Sequence, residues 1–304
     1  MQPAQRHLLP GQRWHFQHGP IDIIIGAEGE PAALQAAHNA AWVRFQTVLA
    51  ELVAELPLLR QPVAGSNPLQ GAIARHMWAA CAALVGAADG VITPMAAVAG
   101  AVAQSLIGAY QRPGIQRAWA NNGGDIALHL APGTQVQVGL VADLASFDDE
   151  ALGQSAAGLL RADAAFAVLA SSPVRGVATS GWRGRSLSRG FADSVTVLAR
   201  SAAQADAAAT VIANAVDLPS LAAGTAAGIK RQPANTVRDD SDLGEIAVTV
   251  AVPHLPAAVL QQALQRGLAC AQRLQAARQV HAVVLTCQGQ LCRLPPVQAA
   301  ELVQ

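Results

Sequence analysis

An α+β fold, with mixed or antiparallel sheets packed against helices, is what this 304-residue sequence predicts. Three observations lead there. Helical and strand patterns come in blocks instead of strict alternation. The stretch from Pro31 to Leu59 repeats apolar residues at i, i+3, i+4 and i+7. Short alternating runs crowd the chain between Arg117 and Ala199. No internal repeat or low-complexity linker interrupts it, so residues 1–304 are expected to form one domain.

Taken in order, RWHFQ and IDIIIGA form a first strand pair, joined through His18-Gly19-Pro20. Pro31 suits the first turn of the long helix, and Pro57 and Pro62 bound its end. A second helix spans about Leu69 to Val85 and stops at Gly86. A third runs from Pro94 to Leu106, with Thr93 as N-cap. Its Ala96, Ala97, Ala99, Gly100, Ala101 and Ala103 leave almost no side-chain bulk. That suits either close packing or backbone open to a ligand. Strands follow at RAWA, DIALHL, QVQVGLVA, FAVLA, RGVAT and DSVTVLA. A helix covers Ala202 to Ala215, and the polar stretch Leu218–Asp242 reads as loop. EIAVTVAV is a strand, Pro256–Arg278 an amphipathic helix, and VHAVVLT–QGQ–LCRL a closing hairpin.

Apolar residues make up 52% of the chain and charged residues 13%, with zero formal net charge. Lys230 is the only lysine. A nucleic-acid binder carries a basic bias, so nucleic acid is not the expected partner. The first residues lack the apolar core of a signal peptide, and no uncharged apolar run is long enough for a membrane span. A cytoplasmic protein is expected, with a homodimer left open. Cys81, Cys270, Cys287 and Cys292 match no common zinc spacing. They are expected to stay reduced, Cys81 and Cys270 in the core.

Three stretches bear on chemistry. Asn122-Gly123-Gly124-Asp125 lies between two alternating runs. Asn-Gly accounts for a plain hairpin, since both residues tolerate positive φ. The extra Gly124 and Asp125 suit backbone that receives a phosphate-bearing ligand. Next, VATSGWRGRSLSRG places Arg183, Arg185 and Arg189 in one short loop. Guanidinium groups match phosphate or carboxylate, and the alternative is a solvated surface loop. Last, Asp206 and Thr210 stand four apart on a predicted helix, so carboxylate and hydroxyl share a face and can meet one hard cation. An acid near a helix start also simply suits the helix dipole.

Together and in this order, these stretches resemble the ApbE superfamily, flavin transferases that move FMN from FAD onto protein threonines. Asn122-Gly123-Gly124-Asp125-Ile126 is similar to the family's Asn-x-Gly-Gly-Asp-Ile turn. Thr179-Ser180-Gly181 is similar to its Ser-Thr-Ser-Gly strand end. Ser194-Val195-Thr196-Val197, followed by Ala205-Asp206-Ala207-Ala208-Ala209-Thr210, resembles its Ser-Val-Thr-Val and Ala-Asp-Ala-Leu-Ala-Thr segments. The resemblance covers about residues 90 to 215. His18 to Asp22, Pro94 to Ala101 and Thr179 to Ser186 resemble more closely an uncharacterised, non-lipoprotein ApbE-like family.

The resemblance implies a site for a small phosphorylated flat cofactor, FAD or FMN, with Mg. Asn122, Gly123, Gly124, Asp125, Thr179, Ser180 and Gly181 would approach the ligand, and Arg183 and Arg185 would meet phosphate. Asp206, Thr210 and the Ala99 carbonyl would hold Mg. Flavin binding is the leading expectation. The alternatives are a Mg-dependent FMN transferase, a flavin- or pterin-nucleotide hydrolase, and a non-catalytic scaffold. Two departures bear on catalysis. Ala96 to Ala101 lacks the family's lysine, and Arg185-Ser186-Leu187-Ser188 has no histidine where the family's His-Ile-Ile-Asp-Pro stands.

Overall fold

The computed structural model describes residues 3–88, 90–140, 164–184, 186–218 and 228–296. Strands β1 (Gln5–Leu9), β2 (Arg13–His18) and β3 (Ile21–Gly29) lead into helix α1 (Pro31–Ala54), and α2 (Ala72–Ala82) follows. A 3-10 turn, Pro94–Ala97, leads directly into α3 (Val98–Ile107). Next come β4 (Ile115–Asn122), β5 (Asp125–Leu130), β6 (Gln135–Leu140), β7 (Ala164–Leu169), β8 (Gly176–Ser180) and β9 (Ser194–Ala199). The chain continues through α4 (Ala202–Ala215), β10 (Lys230–Pro233), β11 (Ala247–Ala251), α5 (Ala257–Ala276), β12 (Ala282–Cys287) and β13 (Gln290–Leu294).

Among the described residues, nine strands form one sheet in the order β1-β2-β3-β4-β5-β8-β9-β12-β13. Every neighbouring pair is antiparallel. The α+β class is therefore as expected. Alternation along the strands makes two faces. In β4, Ala118, Ala120 and Asn122 are buried, while Arg117, Trp119 and Asn121 between them are partly exposed. Ala118 and Ala120 join the main core with α1, α3 and α4. Leu128 and Leu130 of β5 join a second cluster with Val138, Val168, Val177 and Leu198, to which the antiparallel β6–β7 pair contributes.

The small residues of α3 are used for packing. Ala97 and Ala101 are 0% exposed, as are Ala205, Ala207, Ala208 and Ala209 of α4. At Gly100, an added Cβ would lie 2.2 Å from the Ala202 carbonyl oxygen, so the two backbones nearly touch. A leucine at Ala101 overpacks this seam. Ala101→Leu is expected to cost about 1–3 kcal/mol, read as a lower midpoint in urea unfolding. A midpoint equal to wild type would contradict the burial.

The structure departs from the expected elements at four places. β1 was not expected, because its five residues are mostly exposed and carry no apolar alternation. The third helix is split at Ala97, whose φ of −125° and ψ of 11° break the helical path. The Leu218–Asp242 loop contains β10, a polar strand paired with β11. The Arg231–Asp217 ion pair, at 2.5 Å, ties β10 down, an interaction that leaves no periodic trace in sequence. The β4–β5 turn is centred on Gly123-Gly124, one residue later than the Asn-Gly signal, as the site geometry below explains. Cys81, Cys270 and Cys287 are buried, and Cys292 is partly exposed. Among the described residues, no helix is long and apolar enough to cross a membrane.

Candidate functional site

The β4–β5 hairpin turns through Gly123 and Gly124, with φ of 67° and 113°. Only glycine takes such angles without strain. Asn121 Oδ1 accepts from the Gly124 N–H at 2.8 Å and closes the loop. Asn122 and Asp125 thus become a directly opposed pair, both buried. Asn122 Nδ2 donates to the Ala99 carbonyl oxygen at 3.1 Å. Asp125 Oδ1 accepts from the Thr179 N–H at 3.2 Å. The motif clamps the start of α3 and the end of β8 to one hairpin.

Thr179, Ser180 and Gly181 end β8 beside β9. The Thr179 and Thr196 hydroxyls lie 2.8 Å apart across the strands. Ser180 is buried. At Gly181, a Cβ would fall 2.3 Å from the Asp193 carbonyl oxygen, so backbone approach excludes a side chain. Asp193 gathers the next residues. Its Oδ1 accepts from Trp182 Nε1 at 3.1 Å and pairs with Arg183 Nε at 3.1 Å. The Arg183 guanidinium also lies over the Trp182 ring, 5.2 Å from its centroid. Arg185 lies outside the described residues.

Asp206 and Thr210 project from α4 into a cavity of about 230 Å³ that Ala99 also lines. Asp206 Oδ2 accepts from the Gly100 N–H at 2.9 Å, in the first turn of α3. The carboxylate therefore caps that helix from a neighbouring one. Burial pushes its carboxyl up to about 7, against the Gly100 and Ala99 amides, which pull it down. No ion pair joins Asp206 to a cation among the described residues. The same cavity is lined by Arg60, Arg189 and Arg238, and by Asp240 and Asp242. Thr93 Oγ1 donates a short hydrogen bond to Asp242 Oδ2. Asn214 Oδ1 accepts from the Arg189 backbone N–H at 2.9 Å and fixes that segment.

The structure thus brings Ala99, Asp206 and Thr210 together at one cavity. Asn122 and Asp125 stand behind it, holding α3 and β8. Gly123, Gly124, Thr179, Ser180, Gly181 and Arg183 are not among the lining residues. Arg60 and Arg238, which line it, carry no local motif and come from distant parts of the chain. Arg189 was visible as the third arginine of its cluster.

These features define an α+β protein with a small, charge-lined cavity between two helices, entered by a carboxylate and a hydroxyl from one helix face. The chain belongs to the ApbE-like family described as AbpE bacteria, whose model matches residues 6–293. It is 34% identical over 207 residues to a UPF0280 protein of Methanosphaerula palustris, covering 67% of this chain and 77% of that protein. It is 39% identical over 129 residues to a UPF0280 protein of Methanothermobacter thermautotrophicus, covering 42% of this chain and 44% of that protein. Among solved structures, it is similar to a mutant of the flavin transferase ApbE from Vibrio cholerae, with a TM-score of 0.47, 13% identity, and 97% of this chain and 98% of that one covered. The apo flavinyl transferase ApbE of Pseudomonas stutzeri gives a TM-score of 0.43 at 11% identity, over 97% of this chain and 94% of that one. At such values neither neighbour speaks to the ligand of this chain.

Proposed function

We propose that this protein binds a flavin nucleotide, FAD or FMN, or a related phosphorylated flat cofactor, through the cavity at Asp206. The observation that carries the reading is a partly buried carboxylate without a cationic partner among the described residues, one helical turn from a hydroxyl and lining the same cavity as three arginines. One carboxylate and one hydroxyl suit Mg²⁺, which takes its remaining ligands from water and phosphate oxygens. Asp206, Thr210 and the Ala99 carbonyl would hold the ion, which would supply positive charge for a ligand's phosphate. Arg60, Arg189 and Arg238 then meet the remaining phosphate charge. Asn122, Asp125 and the Thr179–Gly181 segment position these groups from behind.

Size narrows the role of the cavity. Small-molecule sites typically hold about 300–1,000 Å³, and this one holds about 230 Å³. It fits a diphosphate with its cation, and the flat ring would lie beyond it. Among the described residues, no histidine, lysine or cysteine lines the cavity. FMN transfer or nucleotide hydrolysis at this cavity would need Asp206, Asp240 or Asp242 to move a proton at the reacting atom, a role that the binding reading does not require. The test is a fluorescence titration of FAD with the protein in Mg²⁺. Saturable quenching is expected, and flavin fluorescence unchanged in excess protein would contradict the proposal.

A further inference from the structure

A second cavity, of about 740 Å³, lies where α4 begins and α3 ends. It is lined by Arg175, Arg200, Arg44 and Glu51, with Ile73, Ile107 and Ala127 as apolar wall. The cavity does not share a lining residue with the one at Asp206. Its charge is unbalanced. Glu51 is already engaged by Arg44 at 2.6 Å and by the Ile73 N–H at 3.2 Å. Arg175 and Arg200 have no carboxylate partner among the described residues.

Both arginines sit at the end of the β8–β9 ladder. Gly176 pairs with Ala199, and the Arg175 N–H also donates to the Ala199 carbonyl, at 3.0 Å, so Arg175 and Gly176 both lie against Ala199 and Arg200 follows it in the chain. The Arg175 guanidinium is fixed by the carbonyls of Ser172 at 2.8 Å, Val174 at 2.6 Å and Ala170 at 2.8 Å. Those bonds orient it without neutralising it, and burial lowers its pKa. A fixed cation, an exposed cation and an apolar wall lining one cavity together match an anion with a hydrocarbon body.

We propose that this cavity binds a small organic anion, a carboxylate or a phosphate monoester. Its acidic group meets the arginines of the lining, Arg175 and Arg200, and its apolar body lies against Ile73, Ile107 and Ala127. Calorimetric titration with benzoate, phenyl phosphate and benzyl alcohol tests this on the full chain. Saturable binding of at least one of the two acids, and none of the alcohol, is expected; the tighter acid names the acidic group. Arg200 is exposed, so Arg200→Gln spares the core and is expected to weaken binding about tenfold. Gly108 lines the cavity, and a Cβ there meets nothing within 4 Å. Gly108→Phe is therefore expected to block binding with the arginines intact. Asp206→Asn is expected to leave it unchanged, which separates this site from the nucleotide cavity. Failure of both acids to bind, or equal binding by wild type and Arg200→Gln, would overturn the proposal.

Discussion

Asp206→Asn is expected to remove the Mg²⁺-dependent part of nucleotide binding while the protein melts at the same temperature or higher. Asparagine keeps the shape, and its carbonyl oxygen still accepts from the Gly100 N–H that Asp206 holds at 2.9 Å. What it removes is the charge. In the free protein that charge is a liability, because burial pushes the carboxyl up to about 7. A neutral side chain there costs no desolvation. In the complex, the same change deletes the one charged ligand offered to the cation by α4. A loss of at least about tenfold in affinity, roughly 1.4 kcal/mol, is expected in Mg²⁺. Thermal melts and FAD titrations of both proteins read the two effects separately. A variant that melts far lower would make Asp206 a structural cap alone, and unchanged affinity would remove it from the site.

Gly100→Ala should be the most destabilising small substitution in the α3–α4 seam. The added methyl would sit 2.2 Å from the Ala202 carbonyl oxygen, 2.6 Å from its carbon and 2.9 Å from Asp206 Cβ. Two of those atoms are backbone of a packed helix and cannot rotate away. In an open helix interior, Gly→Ala gains about 1 kcal/mol. Here the clash dominates, since overpacking typically costs about 1–3 kcal/mol and occasionally more. A net loss of about 2 kcal/mol or more is therefore expected, with weaker nucleotide binding because Gly100 and Asp206 separate. Gly108→Ala is the control: it lies in open space and should be neutral or slightly stabilising. Urea unfolding of the two variants decides it, and Gly100→Ala as stable as wild type would mean that the helices are not in contact.

Much of this was legible in sequence where local patterns and tertiary needs agree. Helix α4 begins after Ser201, whose hydroxyl accepts from the Gln204 N–H at 3.3 Å, and its alanine run leaves no competing pattern. The closing hairpin was equally plain, with Gln288 and Gly289 at positive φ between two alternating strands. Asp206 and Thr210 could be paired because four residues on a helix return to one face. Legibility fails where tertiary contacts decide. The Asn-Gly signal places the turn one residue early because the choice is made by Ala99, whose carbonyl draws Asn122 inward. The break at Ala97 has no proline or glycine to mark it. The arginine lining of the cavity combines positions 60, 189 and 238, which no spacing rule connects. Arg183 was legible as a cation, yet its Asp193 partner lies across a turn with no motif of its own.

The central claim is that a cation at Asp206 and Thr210 carries the nucleotide's phosphates. Calorimetric titration of FAD into the wild-type protein, once in Mg²⁺ and once in EDTA, tests it most directly. Because the two side chains are too few to hold Mg²⁺ tightly alone, Mg²⁺ without nucleotide should give little heat. FAD should bind clearly more tightly in Mg²⁺ than in EDTA. Equal affinity in the two buffers would contradict the account, and with it the role given to Asp206.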